Sequence, residues 1–60
     1  MSNIYLINKV LAKSGDSLSV SAVKSKLAEL GYNRYQQIGC LGGCVTNNVI
    51  LIENGMVTRL

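Results

Sequence analysis

The first apolar residues of the chain are spaced as on one side of a helix: Ile4, Leu6, Ile7, Val10 and Leu11. Steps of three and four residues are typical of a helix that is buried along one face. The pattern therefore predicts a first helix over about residues 3 to 13. Gly15 lies in a turn-forming stretch that ends this helix, and Leu18 follows as an isolated apolar residue.

A second apolar stripe is more regular, and its members recur at helical spacing: Val20, Val23, Leu27 and Leu30. We predict a second helix over about residues 20 to 30. Ser17 or Ser19 is suited to cap its first turn by accepting a backbone N–H. Gly31 stands where a helix commonly ends, because glycine adopts the left-handed conformation without strain.

The end of the chain predicts a β-hairpin. Two β-favouring runs, 49–52 and 56–58, flank Asn54-Gly55, the dipeptide that best fits a type I′ turn. This turn would set Ile52 opposite Val57 and Leu51 opposite Thr58. One face would cover the helices, and the other needs either more chain or a second subunit to cover it, so we expect a dimer or partner surface there. That second face holds Val49, Leu51, Met56 and Leu60.

Residues 32–44 allow two interpretations. As a helix, this segment has Asn33 at the N-cap, Gln36 as the partner in a capping box, and Gly42-Gly43 at its end; its inward residues would be Tyr35, Ile38 and Leu41. As a strand, residues 35–41 would turn at the glycines and pair with Cys44 onward. The predicted class is therefore α+β: a single domain, 1–60, of helices followed by a C-terminal hairpin, or two helices on a three-stranded antiparallel sheet.

Composition points to a small protein with exposed apolar surface. Of its 60 residues 48% are apolar and 15% charged, which is too hydrophobic for a disordered chain. So much apolar surface in a small body favours a homodimer. The net charge of +3 suits a polyanionic partner and equally suits ordinary solubility. The chain has no run of 18 apolar residues, so we expect no membrane association and a cytoplasmic location.

The chemistry-bearing residues do not form a catalytic set. Histidine is absent, which excludes Ser-His and Cys-His nucleophile pairs. The three carboxylates, Asp16, Glu29 and Glu53, are spread over a turn, a helix and the hairpin. The glycine-rich stretch 39–43 lacks the lysine and the Ser/Thr of a phosphate-binding loop. We therefore expect no enzyme activity and no cofactor.

Cys40 and Cys44 form the one cysteine pair. A cytosolic setting disfavours a disulfide between them. Two cysteines without histidine cannot complete a tetrahedral zinc site, although a dimer could assemble four thiolates. Free cysteine is among the most buried residue types. We favour two structural thiols and no metal, with the disulfide and the metal site as alternatives.

The order of elements resembles a winged helix-turn-helix DNA-binding domain. The second helix, the turn at Gly31, the helix beginning near Arg34 and the terminal hairpin carry this resemblance. It implies that the third helix reads double-stranded DNA in the major groove, that the second helix contacts phosphates and that the hairpin is the wing. The residues it assigns to DNA contact are Ser19, Ser21, Lys24, Arg34, Gln36, Gln37, Asn54 and Arg59.

Two functions of different classes follow. The first is a small DNA-binding transcriptional regulator of phage or plasmid type, acting as a homodimer on paired half-sites. The second is a protein-binding inhibitor or adaptor that docks through the apolar hairpin face or an edge strand. DNA binding requires the basic and amide side chains around Arg34, whereas protein binding requires Leu51 and Met56.

Overall fold

The computed structural model describes residues 3–60 and shows an α+β domain, as the sequence predicts. In chain order its elements are α1 (Asn3–Asn8), β1 (Ser17–Ser19), α2 (Val20–Glu29), α3 (Arg34–Thr46), β2 (Ile50–Glu53) and β3 (Met56–Arg59). The strands form one antiparallel sheet in the order β1-β3-β2. Within residues 3–60, none of the helices has both the length and the apolar character that a membrane span requires.

Helix α2 has the ends that its sequence predicts. At its start the Ser19 hydroxyl accepts a hydrogen bond from the backbone N–H of Ala22 at 3.0 Å. At its end Gly31 has φ 95°, and the N–H of Tyr32 donates to the carbonyl oxygen of Leu27 at 3.1 Å. This is the Schellman arrangement, which satisfies carbonyls at a helix end and turns the chain sharply. The turn directs the chain into α3.

Helix α3 confirms the helical interpretation of residues 34–41, and the strand alternative is wrong. Its capping box is complete: the N–H of Gln36 donates to Oδ1 of Asn33 at 2.9 Å, and the N–H of Asn33 donates to Oε1 of Gln36 at 2.8 Å. The prediction that Gly42-Gly43 ends the helix is wrong, because the helix continues through both glycines to Thr46. The helical conformation ends after Thr46, and Asn48 then adopts a positive φ of 57°.

The predicted inward face of α3 is correct only at Leu41. Tyr35 is 85% exposed and Ile38 48% exposed, whereas Cys40, Leu41 and Cys44 are buried. Counting both cysteines as apolar residues gives the true stripe at 40, 41 and 44. That stripe extends beyond Gly42-Gly43, which explains why the helix does too: its buried side keeps packing past the glycines.

Helix α1 is shorter than predicted and ends at Asn8 rather than near residue 13. The N–H of Lys9 donates to Leu6 and the N–H of Val10 donates to Ile7, so the chain tightens into a turn with three-residue spacing. Leu11 is still buried, as its spacing implies. A turn therefore replaces the last part of the predicted helix, and it still places Leu11 in the core.

The chain then joins the sheet earlier than the sequence indicates. The sequence pattern did not predict strand β1. This strand sets Leu18 opposite Val57 in β3. Just before it, the N–H of Gly15 donates to the carbonyl of Arg59 at 2.8 Å. Gly15 does adopt a positive φ, 92°, but within this turn and not at the end of a helix. Leu18 is thus a strand residue packed against the core.

The C-terminal hairpin has the predicted turn and register. Asn54 and Gly55 have φ 51° and 74°, as a type I′ turn requires. Ile52 lies opposite Val57, and Leu51 lies opposite Thr58. The hairpin packs against the helices through Ile50 and Val57, which lie on the same face of the two strands, while Ile52 on that face stays 37% exposed.

One apolar cluster joins the sheet to all three helices, and it contains Leu6, Ile7, Leu11, Val23, Leu27, Cys40, Leu41, Cys44, Val49, Ile50 and Val57. Val49 corrects a prediction, since it was expected on the partner surface and is 8% exposed. Val49 precedes strand β2, and its N–H donates to the carbonyl of Cys44 at 2.8 Å, which holds it against the end of α3. Leu51, Met56 and Leu60 are exposed as predicted.

Candidate nucleic-acid interface

The outward side of α3 begins with Arg34 and Tyr35. Arg34 is exposed at the first position of the helix, and no hydrogen bond or ion pair ties it to another residue of 3–60. Tyr35 has 85% of its surface exposed, and Ile38 stands one turn later with 48% exposed. At about 100° per residue these three side chains share one side of the helix. They offer a guanidinium, a phenol and an aliphatic group together.

Packing among residues 3–60 does not explain why two positions on α3 are glycine. A Cβ built at Gly39 or at Gly42 meets no atom of residues 3–60 within 4 Å. Gly43 differs, because a Cβ there would overlap the side chain of Asn3. A glycine inside a helix costs about 1 kcal/mol relative to alanine. Gly39 and Gly42 therefore weaken the helix without a side chain that packs in its core. Gly42 leaves the backbone open to close approach from outside, whereas the carbonyl of Gly39 accepts from Nδ2 of Asn3 at 3.4 Å.

The hairpin turn lies against the start of α2. The N–H of Val20 donates to the carbonyl of Gly55 at 2.8 Å, and Ser19 pairs with Met56 across the sheet. Ser19, Ser21 and Asn54 therefore belong to the same end of the molecule. Helix α2 has 10 residues, about 15 Å at the usual rise, and Arg34 follows its other end.

Lys24 belongs to the middle of α2, one turn after the capped start of the helix. Lys24 is half-buried. In such a position the aliphatic part of a lysine commonly packs against the protein while its ammonium group stays in water. The sequence prediction for Lys24 is compatible with this position. It lies between the hairpin end of α2 and the end that leads to Arg34.

Three residues that the sequence analysis assigned to DNA contact are held by the fold. Gln36 completes the capping box with Asn33. Gln37 donates from Nε2 to the carbonyl of Tyr32 at 2.8 Å. The Arg59 guanidinium donates from Nη1 to the carbonyl of Val49 at 3.2 Å and from Nη2 to Oδ1 of Asn8 at 2.9 Å. These side chains position α3 and the hairpin, and we leave them out of the candidate interface.

Sequence reasoning misplaced Ile38 and, by a larger margin, Tyr35. Tyr35 was expected at the edge of the core, because the inward stripe was counted through Ile38 and Leu41. The signal that locates it correctly is Cys40 and Cys44, since a face through the cysteines turns Tyr35 outward. Tyr32, by contrast, packs against the core.

Cys40 and Cys44 are free thiols buried between α1 and α3. Their Sγ atoms donate to the carbonyl oxygen of Asn3 at 3.6 and 3.5 Å. Burial, together with the neighbouring Cys44, raises the pKa of Cys40 to about 11. Burial also raises the pKa of Cys44, although Cys40 and Arg59 oppose that shift.

Both thiols are therefore protonated near neutral pH, a form that is neither a good nucleophile nor a metal ligand. Among residues 3–60 there is no cluster of three or more residues of metal-ligating type. The described part of the chain also contains no enclosed pocket. The exposed groups that stand out are those of α3, of the start of α2 and of the hairpin.

No protein-family model, no curated protein and no solved structure matches this chain. Its function is therefore inferred from the geometry of its own residues.

Proposed function

We propose that this protein binds double-stranded DNA as a small transcriptional regulator, with α3 in the major groove. The observation that carries the proposal is the outward side of α3. It joins Arg34, which no other residue of 3–60 engages, to Tyr35 and Ile38, beside two glycines whose Cβ positions meet no atom of the described chain. The order of elements supports it, since α2, the glycine turn, α3 and the hairpin follow each other as in the winged helix-turn-helix domains that the sequence resembles.

We assign the base contacts to the first two turns of α3. A guanidinium forms paired hydrogen bonds with O6 and N7 of guanine, which suits Arg34. Apolar groups contact the thymine methyl, which suits Ile38. Gly39 and Gly42 allow the helix backbone to approach the groove closely, because no side chain projects from them.

We assign the phosphate contacts to the N-terminal end of α2, away from α3. The Ser19 hydroxyl accepts from Ala22 and still has its own proton to donate to a phosphate oxygen. Ser21, Lys24 and Asn54 supply further donors at the same side of the domain. The roughly 15 Å length of α2 exceeds the roughly 12 Å width of the major groove. One end of α2 can therefore contact the backbone while the other delivers α3 to the base edges.

The cysteines fit a cytoplasmic location, which is part of this proposal. Both are free, and thiols are kept reduced in the cytosol. A regulator of DNA would act in that compartment.

A titration at two salt concentrations tests the proposal. The purified protein would be titrated against a fluorescently labelled duplex of random sequence at about 50 and about 200 mM salt. If the two basic side chains of the interface, Lys24 and Arg34, displace counterions from the DNA, affinity should fall roughly tenfold between these conditions. Failure to bind any duplex at the lower salt would contradict the proposal.

Replacing Gly42 with alanine should separate DNA binding from folding. We expect the free energy of unfolding to rise by about 0.5–1 kcal/mol, because alanine favours the helix and meets open space there. We expect DNA affinity to fall roughly tenfold, because the added methyl group holds α3 away from the groove.

Urea unfolding and the duplex titration measure the two effects of Gly42→Ala. Ser25→Ala, which likewise raises helix propensity at an exposed position but lies in α2 outside the candidate interface, is the control and should leave affinity unchanged. A more stable Gly42→Ala protein that binds DNA as tightly as the wild type would exclude close approach at this glycine.

Protein binding through the hairpin is the second candidate. The observation that favours it is the set of exposed aliphatic residues there: Leu51 44%, Ile52 37%, Met56 43% and Leu60 53%. An inhibitor or adaptor using this surface would show little salt dependence, and Leu51 or Met56 substitutions would abolish its binding.

A further inference from the structure

Beyond its first turn, the outward side of α3 is apolar. No residue from Tyr35 to Thr46 carries a charge. Three polar side chains follow Tyr35 in the helix, and each is already hydrogen-bonded within the domain: Gln36, Gln37 and Thr46. The large side chains exposed there are Ile38, 48% exposed, and Val45, 43% exposed. This part of the helix therefore offers a ligand aliphatic groups rather than hydrogen-bonding ones.

Ile38 stands in a fixed relation to Arg34, the residue that the proposed function assigns to a guanine. It follows Arg34 by four helical residues, which places it about 40° around the helix and about 6 Å further along the axis. Successive base pairs are about 3.4 Å apart, so this distance corresponds to about two base-pair steps. The space beside Ile38 is open, because a Cβ built at Gly42, one turn later, meets no atom of residues 3–60. Ile38 can therefore touch a base edge two steps from the guanine.

The apolar group that base pairs display in the major groove is a methyl group on C5 of a pyrimidine. Thymine carries it, and 5-methylcytosine carries it at the same position. The two bases differ at C4, where thymine has an acceptor oxygen and cytosine an amino donor. An aliphatic side chain contacts the methyl group but forms no hydrogen bond at C4. The chemistry of Ile38 therefore suits the methyl group itself, whichever of the two bases carries it.

We propose that this protein selects duplexes in which a C5-methylated pyrimidine lies two base pairs from the guanine bound by Arg34. This inference rests on the proposed function and adds the group that Ile38 recognises. Thymine and 5-methylcytosine satisfy it equally, whereas uracil and unmodified cytosine do not. Burial of one methyl group is worth about fourfold in affinity, so its removal should raise the dissociation constant by about that factor.

Replacing single thymines with uracil tests the contact, because this change removes the C5 methyl group and keeps every hydrogen-bonding group of the base. The probe is a duplex that the wild-type protein selects from a random pool. We expect affinity to fall about fourfold at one position of each site and to change little at the other thymines. The guanine two base pairs away is identified with 7-deazaguanine, which lacks the N7 acceptor and should weaken the wild type but not Arg34→Ala.

Two variants of α3 show whether the effect belongs to Ile38. In Ile38→Ala the uracil substitution should no longer change affinity, since the group that meets the methyl is gone. Ile38 is half exposed and alanine is the best helix former, so this variant should keep the wild-type circular dichroism. Val45→Ala is the matched control and should respond to uracil like the wild type. Val45 lies on the same side of the helix but about 16 Å beyond Arg34, roughly half a turn of the duplex, where the groove has curved away from a straight helix.

A second comparison separates the two sources of the methyl group. At the sensitive position, cytosine and 5-methylcytosine, each paired with guanine, differ by the methyl group alone. We expect 5-methylcytosine to bind about fourfold more tightly than cytosine and within about twofold of thymine. A protein that accepts thymine and rejects 5-methylcytosine would overturn the proposal, because it would recognise the group at C4.

The failure of this inference is distinct from the failure of the proposed function. Salt-sensitive binding in which uracil weakens no position would overturn the methyl contact and leave DNA binding in place. An Ile38→Ala protein that keeps the full uracil effect would do the same. Absence of binding to every duplex at low salt would end both.

Discussion

Leu27→Ala should remove most of the stability of this domain. The Leu27 side chain is fully buried where α2 meets the rest of the core. Truncating such a leucine costs about 2–5 kcal/mol, from lost transfer energy and from the cavity left behind. A domain of 60 residues has about 3–9 kcal/mol in total. We therefore expect a variant that unfolds at much lower urea or is largely unfolded in buffer.

Leu30→Ala is the control for this experiment, because it makes the same chemical change three residues later, at the C-cap of α2. Leu30 is 46% exposed, and surface substitutions usually change stability by about 0.5 kcal/mol or less. Urea unfolding followed by far-ultraviolet circular dichroism compares the two variants. Equal losses of stability would mean that the core does not lie on the Leu27 side of α2.

The elements that sequence alone predicts well are those with local signals at both ends. For α2 these signals are the Ser19 cap and Gly31; for the hairpin the signal is Asn54-Gly55, which sets the turn and with it the register. Each signal acts through the backbone of adjacent residues, so no distant part of the chain is needed to interpret it.

The elements that sequence reasoning missed depend on distant contacts. Strand β1 has one apolar residue, Leu18, and exists because β3 pairs with it some 40 positions later in the chain. The end of α1 is decided by a turn that leads residues 12–16 to Arg59. Neither effect leaves a periodic pattern in the local sequence.

The candidate site was predicted in part. The sequence identified Arg34, the start of α2 and the hairpin tip, because residue type and turn signals locate them. It did not identify the exposure of Tyr35 or the engagement of Arg59 with Asn8, since both follow from tertiary packing. The open space around Gly39 and Gly42 likewise becomes visible only once α3 is packed.

Arg34→Ala should weaken specific DNA binding by about 10- to 100-fold, the range of a lost paired contact with a guanine. Arg34 does not serve the fold. It stands at the N-terminus of α3, where the helix dipole disfavours a positive charge. Its removal should therefore leave the free energy of unfolding unchanged or raise it by a few tenths of a kcal/mol. The probe is a duplex of about 20 base pairs selected from a random pool by the wild-type protein.

Two further variants show whether the contact is to a base or to a phosphate. Arg34→Lys keeps the charge but not the planar fork, so a base contact would remain weakened, whereas a phosphate contact would largely recover. Lys26→Ala removes the same charge from an exposed site of α2 and should lower affinity less than about threefold on every duplex. If Arg34→Ala weakened binding no more than Lys26→Ala, α3 would not be the helix that reads DNA.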